Sequence, residues 1–257
     1  MISQYFTRRI LPLLLSTRQR QNDTNARAMT HPTAFGGMYT DWERGETAWL
    51  LADLDQYLDT MEAALEDTRA LHRSTLQASA HEYEEEVERD EAWRDHYTRF
   101  DEEFPTKLRY SFLVLLHSYL EARTKSFCGA LLWRGIIAGG EFKKRRQKTH
   151  LESVQEFFSR YPPLADAADP YWRPLLAHEQ LRNCIVHHNG IIKEYRDPKG
   201  IYGIIDSTEG LSRGFGGAIG VALPYCKRAI AASRLFFDTC FDAAGFCPRK
   251  TVILEAT

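Results

Sequence analysis

The residues best equipped for chemistry sit in one ten-residue stretch, 181–190, with the sequence LRNCIVHHNG. Arg182 offers a planar fork that grips phosphate or carboxylate oxygens in two places. His187 carries an imidazole that takes up and returns a proton near neutral pH. Asn183 and Asn189 are amides able to donate and accept at once. Wound on a helix at about 100° per residue, Leu181, Cys184, Ile185, His188 and Ile192 form one stripe with the spacing of a core-facing side. Asn183 and His187 stack one turn apart, roughly opposite that stripe. Arg182 lies on the flank between, its side chain long enough to swing toward His187. Gly190 can end the helix in the left-handed conformation that other residues resist. The same pattern also fits a plainer arrangement, with Asn183 and His187 solvated and His188 a satisfied histidine at the core's edge.

Arg182 and His187, with four residues between them, resemble the Arg-x4-6-His motif of the HEPN superfamily (higher eukaryotes and prokaryotes nucleotide-binding domains). A polar residue often follows the arginine in that family, as Asn183 does here. Upstream, the apolar run 110–123 resembles the long first helix of such domains, which often carries an acidic residue; Glu121 matches it. The resemblance covers roughly residues 104–245. It implies a mostly α-helical bundle that dimerises, and a metal-independent endoribonuclease of the toxin or phage-defence type, with RNA as substrate and an antitoxin or defence-system protein as a possible partner.

Cutting RNA without a metal asks little of a protein, because the ribose 2′-hydroxyl is itself the nucleophile. The protein must move protons and hold a negative phosphorane. His187 suits the first task and Arg182 the second. Asn183 can orient the imidazole or bond the phosphate, and Glu121 can hold Arg182. One helix supplies a single such histidine, whereas an acid and a base are both wanted. A two-fold homodimer with the motif helices facing one cleft supplies two. The alternative is a HEPN-like module without catalysis that binds RNA, a nucleotide or a partner protein. A third class, toxins modified by a partner nucleotidyltransferase on a tyrosine two positions after the histidine, is disfavoured because Asn189 stands there.

Helices must position these groups. Leu51, Leu54, Leu58, Met61 and Leu65 step by three and four in a helix starting near Thr47, and the seam fails at Thr68 and His72. Tyr83, Val87, Trp93, Tyr97, Phe100 and Phe104 make a second periodic set in an acidic stretch that reads as a solvated face. Pro105 is expected to break that helix and open the next, along which Leu113, Leu116, Leu120, Phe127 and Leu131 form a stripe ending near Trp133. Glu121 lies beside the stripe. Lys143, Lys144, Arg145, Arg146 and Lys148 then put five positive charges into six residues, a candidate RNA-phosphate contact or a solvated loop. Thr149 and Glu152 form a capping box that opens a helix to about Tyr161. Pro162-Pro163 stops it, and Asp169-Pro170 starts the motif helix. Residues 201–205 and 218–222 read as two short strands of a hairpin, and Pro224 opens a last helix capped by Gly245.

The chain is accordingly expected to comprise an N-terminal tail (1–42), a long helical extension (43–103), a HEPN-like domain with a small β-hairpin before its last helix (104–245) and a C-terminal tail (246–257). Its 257 residues are 44% hydrophobic and 26% charged with net charge −2, so overall charge selects no partner and any nucleic-acid surface must be local. The five cysteines, 128, 184, 226, 240 and 247, lack metal-site spacing and read as reduced thiols of a cytoplasmic protein. The glycines at 210–220 do not form a dinucleotide-binding fingerprint. Neither a cofactor nor a metal is expected. The apolar run 10–15, amid arginines, is too short to span a membrane, so no membrane association is expected.

Overall fold

A computed structural model describes residues 36–80, 83 and 86–246. The tail segment with its apolar run 10–15, and residues 247–257 with Cys247, lie outside the described residues. Within them the chain is mostly helical, with a two-stranded antiparallel hairpin just before the last helix. In order come α1 (Gly36–Ala78), α2 (Glu86–Tyr97), a π-helical segment (Thr98–Glu103), α3 (Phe104–Trp133), α4 (His150–Phe158), α5 (Pro162–His188), α6 (Pro198–Ser207), β1 (Leu211–Arg213), β2 (Ile219–Val221) and α7 (Leu223–Ala243). No helix among the described residues is long and apolar enough to cross a membrane.

α3 is the axis of the core. Its apolar stripe, Leu113, Leu116, Leu120, Phe127 and Leu131, is wholly buried. Leu51, Leu54 and Leu58 of α1 enter the same cluster, as do Leu175, Leu181, Cys184 and Ile185 of α5 and Ile230, Phe236, Phe237 and Phe241 of α7. Met61 and Leu65 continue the α1 seam half-buried. Buried ion pairs reinforce the join of α1 to α3. Arg123 donates to the carboxylates of Glu43 and Glu46 and to Thr47 Oγ1, and Ser126 Oγ donates to Glu43 Oε1 at 2.7 Å. Arg109 forks onto both carboxylate oxygens of Glu62 at 2.8 and 2.9 Å and also reaches the Val221 carbonyl of β2.

The structure corrects three local expectations. Pro105 does not break the chain's helical course. The π turn before it is wide, with the Phe104 N–H bonding the Arg99 carbonyl five residues back, and the backbone stays right-handed helical from Tyr97 through Phe104. Pro105 stands, as expected, in the first turn of α3, where a missing N–H donor costs little. Asp169-Pro170 does not start the motif helix. α5 opens at Pro162 and carries Pro170 and Pro174 inside it; α4 already ends at Phe158, and Tyr161 lies in extended backbone as the N-cap of α5. Residues 201–205 are not a strand. Asp197 caps Gly200 N–H, Pro198 opens α6, and Ile201 and Ile205, one turn apart, are both buried. The second strand is near its expected place at Ile219–Val221 and pairs with Leu211–Arg213.

Two helix ends follow the sequence closely. Thr149 and Glu152 form both bonds of the capping box at α4. At α7, Gly245 is left-handed (φ 69°), its N–H bonds the Asp242 carbonyl, and the Phe246 N–H returns to Phe241, closing a Schellman motif. Cys128, Cys184, Cys226 and Cys240 are buried free thiols, and burial pushes Cys184 up to about 11 and Cys226 up to about 12.

Candidate functional site

α5 presents the motif on its last two turns. Leu181, Cys184 and Ile185 are buried, His188 is half-buried, and His187 is exposed. The helix ends at Asn189, itself left-handed at φ 52°, and Gly190 follows at φ 76°. That turn is fastened from below. Tyr110 of α3 donates its hydroxyl to the Ile219 carbonyl of β2 at 2.6 Å, and Ile219 N–H bonds the Gly190 carbonyl. A Cβ on Gly190 would lie 2.2 Å from the Tyr110 hydroxyl oxygen, so only glycine fits between the turn and that ring. The hairpin therefore serves to fix the exit of the motif helix, and with it the position of His187.

Arg182 and Asn183 are brought together: Arg182 Nη1 donates to Asn183 Oδ1 at 2.9 Å. Arg182 Nε is buried and has no hydrogen-bond partner among the described residues. His187 makes no hydrogen bond to either; its ring rests edge-on to His188, 6.5 Å between centroids, and His188 in turn meets Tyr195. Glu121 is 38% exposed and makes no ion pair with Arg182 among the described residues. It lies instead against His117, one turn earlier on α3, with His117 Nε2 and Glu121 Oε1 at 3.4 Å.

His117 is the centre of a polar seam that the sequence reading did not single out. His117, Glu121 and Thr124 follow one another at i, i+4 and i+7 along α3, flanking the leucine stripe. Thr124 Oγ1 lies 2.8 Å from His150 Nε2 at the start of α4. Across from them α5 contributes Glu179, 3.8 Å from His117, and His178, whose ring is 5.8 Å from that of His117. The Thr149 side chain and the Leu151 N–H at the start of α4 partly offset the effect of burial on the Glu179 carboxyl. The spacing of His117 to Glu121 was visible in the sequence; that α5 would place Glu179 over it was not.

The charges of Arg182 and Lys144 both act on this seam. Burial pushes His117 down to about 4, and the positive charges of Arg182, His150 and Lys144 push the same way. Burial lowers His178 to about 3, again with His117 and Arg182 assisting. His150 is lowered by burial, partly opposed by Glu121. Burial raises the Glu179 carboxyl. Of the basic run, Arg145 and Lys148 are held by Glu156 at 2.6 and 3.1 Å, and Lys143 lies 3.8 Å from Glu141. Lys144 and Arg146 are exposed and make no ion pair among the described residues.

These pKa directions fix how stability responds to acid. In the unfolded chain His117 and His178 titrate near 6.5, so below that pH unfolding takes up protons the native state refuses. Their contribution is complete above about pH 6.5 and is lost as pH falls toward 4. Glu179, raised by burial, acts oppositely: its contribution is present below its unfolded value and lost as pH rises through its folded one. A net uptake of one to two protons gives a slope of about 1.4 to 2.7 kcal/mol per pH unit between roughly pH 6 and 5. Urea unfolding at pH 7, 6 and 5 checks this, and unchanged stability over that span would contradict it.

Compared with known proteins, the chain matches no family model, no curated protein and no solved structure.

Proposed function

We propose that this protein is a HEPN-like, metal-independent endoribonuclease of the toxin or phage-defence type, in which Arg182 stabilises the phosphorane and His187 transfers protons. The observation that carries the reading is electrostatic. Arg182 on α5 and Lys144 in the loop before α4, distant in sequence, both bear on His117. The charges of the motif arginine and of Lys144 in the basic run thus both reach His117, which supports a phosphate chain meeting both. Asn183, bonded to Arg182, presets the guanidinium, and the glycine-locked turn after His188 holds His187 at the surface, where substrate reaches it.

A second copy completes the proposed site. Val186, beside His187, is apolar and 44% exposed, the kind of group an isologous interface covers. Facing motif helices would pair two His187 side chains as acid and base.

The test is cleavage chemistry. Purified protein is expected to cut single-stranded RNA in excess EDTA, leaving 2′,3′-cyclic phosphate or 3′-phosphate ends, and to leave DNA intact. Cutting that is lost without Mg²⁺, or 5′-phosphate ends, would contradict attack by the ribose hydroxyl.

The basic run makes a separate prediction. Because Glu156 already engages Arg145 and Lys148, neutralising Lys144 and Arg146 is expected to weaken RNA binding more than neutralising the other two. The slope of log affinity against log salt should flatten by about 1.4 for two phosphate contacts on a single strand. An unchanged slope would show the loop to be merely solvated.

A further inference from the structure

We propose that His117, Glu121 and Glu179 form a binding site for a divalent transition-metal ion of the zinc class, joining α3 to α5. Three donor atoms converge: His117 Nε2 lies 3.4 Å from Glu121 Oε1 and 3.8 Å from Glu179 Oε1, and all three fall within 4.8 Å of one another. Ligands about 2.0 to 2.2 Å from a tetrahedral ion are separated by about 3.3 to 3.6 Å, so the two histidine–carboxylate distances already fit to within a few tenths of an ångström, and the two carboxylates, within 4.8 Å of each other, have only to rotate toward the ion.

The donor chemistry agrees with the distances. One imidazole and two carboxylates suit zinc and its neighbours in the transition series, whereas magnesium prefers an octahedral all-oxygen shell with several waters. Burial distinguishes the set from an ordinary surface pair. The His117 side chain is 1% exposed and that of Glu179 4%, so neither ligand spends its lone pairs on bulk water. Glu121, 38% exposed, opens the fourth position to solvent and gives the ion a way in. Two carboxylates sharing one imidazole repel each other, and a dication between them turns that repulsion into attraction.

The site stands apart from the nuclease reading, which places no metal in the reaction. Its role is to brace the two helices and hold Glu121 at a fixed point.

The experiment uses the full chain, stripped with EDTA and exchanged into metal-free buffer at neutral pH, with no RNA present. Titration calorimetry is expected to show one Zn²⁺ per chain and no comparable Mg²⁺ binding. Thermal unfolding at a hundredfold excess of Zn²⁺ over its Kd should rise by about 5 °C or more. Co²⁺ should give the intense visible absorption of a four-coordinate site. Glu121→Gln, at a half-exposed position that leaves the fold intact, should weaken Zn²⁺ at least about tenfold and abolish the cobalt spectrum. His117→Gln should do the same, and circular dichroism reports whether it folds. Absence of stoichiometric Zn²⁺ binding overturns the proposal. So does binding that Glu121→Gln leaves unchanged, since the ion would then sit at another histidine pair such as His72 and His96, whose Nδ1 atoms are 2.8 Å apart.

Discussion

Arg182→Ala is expected to lower the rate of RNA cutting by about 100- to 1,000-fold, the usual loss when one fixed charge donor is removed from a transition state. Stability should change by less than about 1 kcal/mol, because Arg182 leaves no paired buried charge behind: among the described residues its Nε has no partner, and its Nη1 bonds the side chain of its own neighbour, Asn183. The variant carries a second signature. The Arg182 charge holds His117 and His178 down, so its removal lets both bind protons more readily in the native state. The acid-induced loss of stability should then begin near pH 6.5 as in the parent protein but level off at a higher pH and be smaller in total. Lys at position 182 should restore the charge but not the two-point grip, and recover only a small part of the rate. Full activity in Arg182→Ala, measured under single-turnover conditions, would remove the arginine from the mechanism.

The second large effect is structural. Glu43→Ala removes one carboxylate from the buried Arg123 and orphans Ser126 Oγ, leaving Glu46 as the remaining counter-charge. Breaking a buried pair from one side costs about 3 to 5 kcal/mol. With Glu46 still present the low end applies, about 3 kcal/mol or a fall of about 6 to 12 °C in Tm. The double variant Glu43→Leu with Arg123→Met should regain most of the loss, since an apolar pair of similar volume no longer needs solvating. The experiment asks whether α1 belongs to the core or is an appendage. An appendage would unfold in a separate transition, and Glu43→Ala would leave the main one unmoved. The burial of Leu51, Leu54 and Leu58 among side chains of α3 and α7 predicts a single cooperative loss.

What the sequence disclosed was local and periodic. The α3 leucine stripe, the capping box of Thr149 and Glu152, the glycine cap at 245 and the buried side of the motif helix each follow from spacing within one element. The errors came where two local signals compete. Ile201, Ile204 and Ile205 form an apolar run too short to separate strand from helix by period, and Asp197-Pro198 decided it as a helix start. Pro105 reads as a breaker although the backbone stays helical through the π turn before it, and Pro170 reads as a start although Pro162 already occupies that role. The candidate site divides in the same way. Arg182, Asn183 and His187 share one helix and could be found together. The seam of His117, Thr124, His150, His178 and Glu179 draws on three helices, and only packing reveals that these residues face one another. Glu121, singled out as a partner for Arg182, instead lies against His117, because both sit on one side of α3 one turn apart.

The central claim is that His187 is the proton-transfer group of a metal-free RNA-cutting reaction. Its most direct test is single-turnover cleavage of a labelled RNA in excess EDTA by His187→Ala beside the parent protein, with thermal unfolding of both. His187 is exposed at the last turn of α5 and carries no core packing, so the variant should fold and melt as the parent does. We predict a loss of at least about a hundredfold in rate, the scale of a missing general acid or base, and a flattened pH profile near neutrality. Parental cleavage by a folded His187→Ala protein would contradict the claim.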